Sequence, residues 1–328
     1  MPLLDRALLE RLTVPGPRLP WLTGWLMDDI WSPAQYARLG PSEYLQEGER
    51  EVNAFEELLA AAAWRVYDEL LAPPSPERDI STFLETSEPR AAVVFDGLSL
   101  REVPAVLRLA EQSQLEARTV GFSLAPVPSD TLEYVDQRLA AGRVAPSQLP
   151  GRRELAERGV KAHYYSHQNQ QHRLEGIAET LLLWSAFPDN TYADSGARFP
   201  HHFEQIQSLL ETAWLNTVQQ IPKGRRILIT SDHGYVFFGP GLSFARANEE
   251  LTPLRAYLAG ERFRRLGDGT PPPEHPDLAV LGDRGVAVIR GRVQTHPPGP
   301  GGSRLYKHGG LSLMEMLVPW IILEAKNG

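Results

Sequence analysis

The sequence predicts an α/β fold, a mostly parallel central sheet flanked by helices, with an α-helical segment in front of it. Three observations carry the prediction. Residues 91–95 (AAVVF), 180–187 (TLLLWSAF) and 226–230 (RILIT) are short, continuous apolar runs, the pattern of strands buried on both faces. These runs alternate with stretches of helical periodicity, which is how parallel strands are joined. Charge is also uneven: residues 1–88 hold 16 acidic and 7 basic side chains, a net −9, whereas residues 89–328 hold 25 and 26, a net +1.

Residues 1–88 read as an acidic helical unit. Leu3, Leu4, Leu8, Leu9 and Leu12 form a short amphipathic stripe, and residues 52–71 place Phe55, Leu58, Leu59, Ala62, Val66 and Leu70 at helical spacing. Trp21, Trp25 and Trp31 lie between the two, and Pro73-Pro74-Ser75-Pro76 stops the second helix. Such a stripe serves a core or an interaction face. The unit is expected to pack on the larger domain or on a partner subunit, and to contribute no chemistry.

Residues 89–328 form the second expected unit. The strand at 91–95 ends in Asp96-Gly97, followed by a helix over 98–112, a strand over 117–124 and a helix over 130–141. After the strand at 180–187 comes a helix over 202–220, and the strand at 226–230 ends at Ser231-Asp232-His233-Gly234. Residues 240–306 are less regular. Pro271-Pro272-Pro273 and Pro297-Pro298-Gly299-Pro300-Gly301-Gly302 mark the loops of a cap or insertion, within which 285–295 could supply a strand. The chain then runs through Lys307-His308-Gly309-Gly310, a short helix and a strand over 317–323.

Composition excludes several chemistries. The chain has 328 residues, a formal net charge of −8 and no cysteine, so disulfides, thiol nucleophiles and thiolate-bound metals are ruled out. A metal would be held by carboxylates, imidazoles and hydroxyls. No run approaches the length of a membrane span, and MPLLDRALLERL lacks a signal-peptide core, so a cytoplasmic location is expected. There is no internal repeat.

In an open parallel sheet, functional groups collect at the carboxyl ends of the strands. Asp96 ends one predicted strand and Asp232 with His233 ends another, while His308 sits in a glycine-flanked turn. Taken singly, an Asp-Gly after a strand is a turn. Together, these carboxylates and imidazoles could converge on one metal, with oxygen and nitrogen donors that suit zinc or manganese.

The residues VVFDG at 93–97, TSDHG at 230–234 and KHGGLSLMEMLVP at 307–319 resemble the three signature blocks of the PglZ domain. That domain is a branch of the alkaline phosphatase superfamily found in BREX phage-defence systems, and the likeness spans roughly residues 89–328. It implies an alkaline phosphatase-like fold and a metal-dependent phosphodiesterase acting on nucleotides or nucleic acid. The implied cofactor is zinc, one or two ions, with manganese as the alternative. Asp96, Asp232 and His233 correspond to the first metal's ligands. The nucleophile falls in Pro128-Ser129-Asp130-Thr131, with Ser129 the first choice and Thr131 the second; an N-cap is the competing role for Ser129.

For a second metal, the resemblance implies an Asp, a His about four residues on, and His308. Asp189 fits the first position, but no His lies at 192–194; His201 and His202 come later. This departure motivates an alternative function, a catalytically degenerate subunit that scaffolds or senses a nucleotide among other defence-system subunits, which residues 1–88 could contact. Lys307 and Arg304, together with Arg290 and Arg292, could hold phosphate oxygens or be exposed edge charges. In residues 163–172, His163 and His167 have a spacing that would permit ligation on a helix face, with a polar loop including His172 as the other reading. Tyr164 and Tyr165 could stack a base or simply pack.

Overall fold

The computed structural model describes residue 10 and residues 14–62, 65–85, 88–174, 180–192, 199–296 and 306–326, with the side chains of residues 62 and 199–202 left out. The Leu stripe at 3–12 and Arg304 lie outside the described residues, as do the side chains of Ala62, His201 and His202.

The fold is α/β. In chain order the strands are β1 (Arg90–Phe95), β2 (Leu115–Leu124), β3 (Val160–Tyr165), β4 (Thr180–Ser185), β5 (Arg226–Thr230), β6 (Val236–Phe237), β7 (Phe263–Arg265), β8 (Leu278–Leu281), β9 (Val286–Ile289), β10 (Tyr306–Lys307) and β11 (Leu317–Ala325). Six of them form the central sheet in the order β2-β11-β5-β1-β4-β3. β1 pairs in parallel with β4 and β5, and β3 in parallel with β4, whereas β11 runs antiparallel to both β2 and β5. One reversed strand among five co-directional ones has a consequence for the site. The carboxyl ends of β1, β2, β4 and β5 and the amino end of β11 lie along one edge of the sheet.

The apolar runs predicted as strands are strands because both faces are covered. Ala91, Val93 and Phe95 face one apolar core, and Ala92 and Val94 the other, as the two-residue period of a strand requires. The first core is closed by the helices Val103–Gln112 and Phe199–Asn216, through Val106, Leu109, Phe203, Ile206, Leu210 and Trp214. The second is closed by Ile80–Leu84 and Thr131–Gln137, through Ile80, Phe83, Tyr134 and Val135.

The described part of residues 1–88 does not pack as a separate body. Its long helix, Pro41–Ala62, puts Leu45, Val52, Phe55 and Leu59 into the same core as β1 and the helix Phe199–Asn216, while Ile80–Leu84 packs on the opposite face. The described residues of 240–306 are more regular than the Pro271-Pro272-Pro273 cluster suggests. They contain the helix Asn248–Leu258 and an antiparallel sheet of order β7-β9-β8, with β9 lying inside the strand expected at 285–295.

Two sequence readings change here. Residues 163–167 are not helical: His163 belongs to β3 and His167 to the turn beyond it, so their spacing does not place them on one helix face. β3 is an edge strand whose alternation spans only six residues, too short to announce itself in the sequence. Tyr165 is buried against the His172 ring, with centroids 4.6 Å apart, and Tyr164 packs on the second core, so neither is a free stacking platform.

Candidate active site

The site is assembled from loops at that one sheet edge. Asp96 follows β1, with its N–H donating to the carbonyl of Ser185 at the end of β4 (2.9 Å). Trp184 Nε1 donates to Asp96 Oδ2 (3.2 Å), while Asp96 Oδ1 is buried without a hydrogen-bond partner among the described residues. The next residue, Gly97, has φ of +75°, and its N–H donates to Asp232 Oδ1 (3.1 Å). A Cβ there would meet Asp189 and Tyr192 at 3.2 Å, so glycine is needed both for the turn and for the close approach.

Asp232 and His233 follow β5 and are fully buried. His233 is oriented by its Nδ1, 2.9 Å from the Gly234 carbonyl, which leaves Nε2 facing Asp232 Oδ2 (3.5 Å) and Asp96 Oδ1 (3.6 Å). Thr131, the first residue of the helix Thr131–Gln137, donates its hydroxyl to Asp232 Oδ2 at 2.6 Å and lies 3.3 Å from His233 Nε2. Asp189, at the start of a short helix after β4, donates its N–H to the Asp96 carbonyl (3.0 Å). His308 comes in ahead of β11. Its ring stacks on that of His233, with centroids 3.8 Å apart and planes within 6°.

Two overlapping groups of donor atoms result, each lying within 4.8 Å of one another: Asp96, Asp232 and His233, and Asp189, His233 and His308. Their electrostatics ask for a cation. Burial pushes the Asp96 carboxyl well above the usual carboxylate range, reinforced by the neighbouring charges of Asp232 and Asp189. Burial works against protonated His233, yet Asp232 and Asp189 outweigh it and raise its pKa. Three carboxylates around a buried imidazole, one of them with an orphaned oxygen, fit a divalent ion. The first group fits best, because Thr131 adds a hydroxyl on the same side. The second group fits poorly. His233 Nδ1 is engaged by Gly234, so only Nε2 is free to ligate, and giving it to the first ion leaves Asp189 and His308 alone.

The two candidate nucleophiles occupy different environments. Ser129 is fully buried, its Oγ accepting from Gly309 N (3.0 Å) and donating to the Gly310 carbonyl (2.9 Å). Its backbone carbonyl lies 3.1 Å from His308 Nδ1. Ser129 therefore ties its own loop to the His308 loop, and Thr131 carries the hydroxyl that faces the donor group.

A cleft of about 380 Å³ opens over the second group, lined by Asp130, Asp189, Tyr192, Tyr235, Tyr306, Lys307 and His308, with Glu261 and Phe263 on the cap side. Lys307 is at this wall, its Nζ paired with Glu261 Oε2 (3.1 Å). Arg292 is not: it is fully buried against Glu49, far from the role of an exposed phosphate contact. Arg290 lies outside the cleft, 3.4 Å from the Pro276 carbonyl.

The sequence reading missed the residues that hold the loops. Glu315 accepts from Gly310 N (2.8 Å) and forms a two-bond pair with Arg262 (2.6 and 2.7 Å), all of it buried. Arg265 pairs with Glu133, joining β7 to the helix that begins at Thr131. Glu49 and Glu56 are fully buried on the helix Pro41–Ala62. A signal for the last pair was present: two acids among the apolar positions of a helical stripe, where burial demands partners.

No family model matches the chain, and no curated protein matches it. Among solved structures, murine ectonucleotide pyrophosphatase/phosphodiesterase 5 is similar at 13% identity and a TM-score of 0.45, covering 72% of this chain and 88% of that one. The human protein of that name gives 12% and 0.40, over 72% and 87%. Phosphonoacetate hydrolase from Sinorhizobium meliloti 1021, in complex with phosphonoformate, gives 13% and 0.41, over 73% and 90%.

Proposed function

We propose that the protein is a metal-dependent phosphoesterase, most simply a phosphodiesterase of PglZ type acting on a nucleotide or nucleic-acid bond, with Thr131 as its nucleophile. The observation that supports this reading best is the Thr131 hydroxyl, 2.6 Å from Asp232 Oδ2 and beside a buried His and a second carboxylate with an orphaned oxygen. Asp96, Asp232, His233 and Thr131 would hold one divalent ion, zinc or manganese by donor chemistry. When bound, that ion supplies positive charge that lowers the hydroxyl pKa and stabilises charge on phosphate oxygens.

The chain's own groups account for the remaining steps. Asp232 Oδ2 receives the Thr131 proton as Oγ1 attacks phosphorus. The bond from Thr131 Oγ1 to phosphorus forms while the bond to the leaving alkoxide breaks, and the alkoxide takes up a proton from solvent. Water then attacks phosphorus and gives up a proton to solvent, while the bond to Thr131 Oγ1 breaks and Asp232 returns its proton to that oxygen, restoring the hydroxyl. His233 is held in place through Nδ1, and Lys307 faces the cleft where substrate phosphate oxygens would lie.

The PglZ assignment and a role in phage defence rest on the sequence blocks. Among the described residues, no helix is long and apolar enough to cross a membrane. The competing reading, a degenerate scaffold or nucleotide sensor, draws on the incomplete second donor group. The deciding experiment is hydrolysis of bis(p-nitrophenyl) phosphate with added Zn²⁺ or Mn²⁺, for wild type and Asp232→Ala. Turnover by wild type alone supports the enzyme; no turnover and no co-purifying metal in either would sink it.

A further inference from the structure

The helix Pro41–Ala62 lies outside the signature blocks, yet it carries two fully buried glutamates, Glu49 and Glu56, two helical turns apart on one face. Each reaches a different loop of the site. Glu49 binds both Arg101 and Arg292. Arg101 Nη1 donates to the Tyr235 carbonyl (3.0 Å) and Arg292 Nη2 to the Phe237 carbonyl (3.2 Å), which fixes the backbone just after Asp232-His233-Gly234.

Glu56 Oε1 accepts from the N–H of Leu313 (2.8 Å), the first residue of the helix Leu313–Met316. Within that helix Glu315 holds Gly310 N, Gly310 and Gly309 hold Ser129, and Ser129 holds His308 Nδ1 two residues before Thr131. An unbroken series of bonds, buried up to the half-buried contact of Ser129 with His308, thus runs from the N-terminal segment to the ligand loops.

We infer that Glu49 and Glu56 are positioning residues of the cation site, so that the N-terminal helix is part of the working site and not an attachment to it. The inference rests on the reading of Asp96, Asp232, His233 and Asp189–His308 as cation ligands. Glu49 neutralises two arginines that would otherwise be buried uncompensated, so its replacement risks the fold. Glu56 gives the cleaner test. Among the described residues its one backbone partner is Leu313, with the Tyr67 hydroxyl also donating to Oε1 (3.4 Å); a glutamine can still accept both bonds, whereas Glu56→Met keeps the volume and loses the acceptor.

The experiment is calorimetric titration of Mn²⁺ into the full chain, on wild type, Glu56→Gln, Glu56→Met and Leu59→Ala, a buried position on the same helix with no bond to either loop. Thermal melts verify folding; if Glu56→Met does not fold, Glu56→Ala is read in its place. The expected result is a loss of about tenfold or more in Mn²⁺ affinity for the variant without an acceptor, because the loop it frees carries the His308 ring stacked on the ligand His233, with rescue by glutamine and wild-type affinity for Leu59→Ala. Wild-type affinity in a folded Glu56→Met, or an equal loss in Leu59→Ala, overturns the inference. Hydrolysis of bis(p-nitrophenyl) phosphate is measured in parallel. A wild type that binds Mn²⁺ without turnover sinks the phosphodiesterase reading and leaves the affinity comparison to decide the positioning role; a wild type that binds no Mn²⁺ overturns both.

Discussion

The two donor groups lie side by side at one sheet edge, share His233, and differ in how they are built. Asp96 and Asp232 sit directly on the ends of adjacent central strands, β1 and β5, whose pairing fixes their separation. Thr131 is fastened to the same carboxylate. Asp189 and His308 come from longer excursions, a short helix after β4 and a glycine turn before β11, and they look out on the cleft. Donors carried on strand ends are pre-organised by the sheet; donors carried on loops depend on whatever holds the loop. The first group is thus a site the fold provides, and the second is one that Glu315, Ser129 and Glu56 must maintain.

The sharpest way to break this comparison is to remove one member from each side. Thr131→Ala and Asp232→Ala should each lower turnover of a chromogenic phosphodiester by at least about a thousandfold, as loss of a nucleophile or its activating group does. Asp189→Ala should cost only about tenfold, because its group lacks a full ligand set. Steady-state kinetics at saturating Mn²⁺ decide it. An Asp189 variant as dead as the Asp232 variant would mean that two complete ion sites operate, and the contrast drawn between the groups would fall.

Next in size is an effect on stability in Glu56, the brace of the loop-borne group. Its burial, opposed by Arg292 and the Leu313 bond, raises its pKa from 4.5 to about 7. The folded state therefore holds this proton more tightly than the unfolded chain. That contribution is fully present below pH 4.5 and is lost as pH rises through about 7. Glutamine does not titrate. The stability of Glu56→Gln relative to wild type should climb by about 3 kcal/mol between pH 4.5 and about pH 8, read from urea unfolding at several pH values. A flat difference would show that Glu56 is charged in the folded state and compensated by the arginines.

The same comparison explains what the sequence disclosed. β1, β4 and β5 were legible because strands covered on both faces are written as unbroken apolar runs, and Asp96, Asp232 and His233 because they terminate two of those runs. β3 was not legible: an edge strand mixes Lys161 and His163 with apolar residues and reads as polar chain. The order of Ser129 before Thr131 comes from the resemblance alone, since both are hydroxyls near a helix start and the sequence does not tell which one Gly309 and Gly310 engage. Arg262–Glu315 and Glu49–Arg101 pair residues more than fifty positions apart, a relation that no local pattern encodes.

A smaller effect concerns the ion itself. Mn²⁺ at a hundred times its dissociation constant should stabilise the folded chain by about 2.7 kcal/mol, seen as a rise in the melting temperature that EDTA reverses. Asp96→Asn should abolish the rise, because it weakens the group that the sheet supplies. Asp189→Ala should keep most of it. Equal losses in the two variants would place the ion between the groups, with His233 Nε2 as a ligand shared by both, and not within the first.

The smallest expected change is the most direct test of how the loop-borne group is maintained. Ser129→Ala deletes a hydroxyl that accepts one backbone bond and donates another, leaving Gly309 N–H and the Gly310 carbonyl buried and unpaired. The cost should be about 1–2 kcal/mol of stability. Since the lost bonds bear on His308 and not on Asp232, the variant should bind its first ion more weakly, as Glu56→Met does, and still turn over, with a reduced rate that Thr131→Ala cannot match. Chemical denaturation and the diester assay, run on both variants, separate the roles. If Ser129→Ala is as inactive as Thr131→Ala while remaining folded, Ser129 is the nucleophile after all. In that case, the loop must move far enough in the working state to release its hydroxyl from the two glycines.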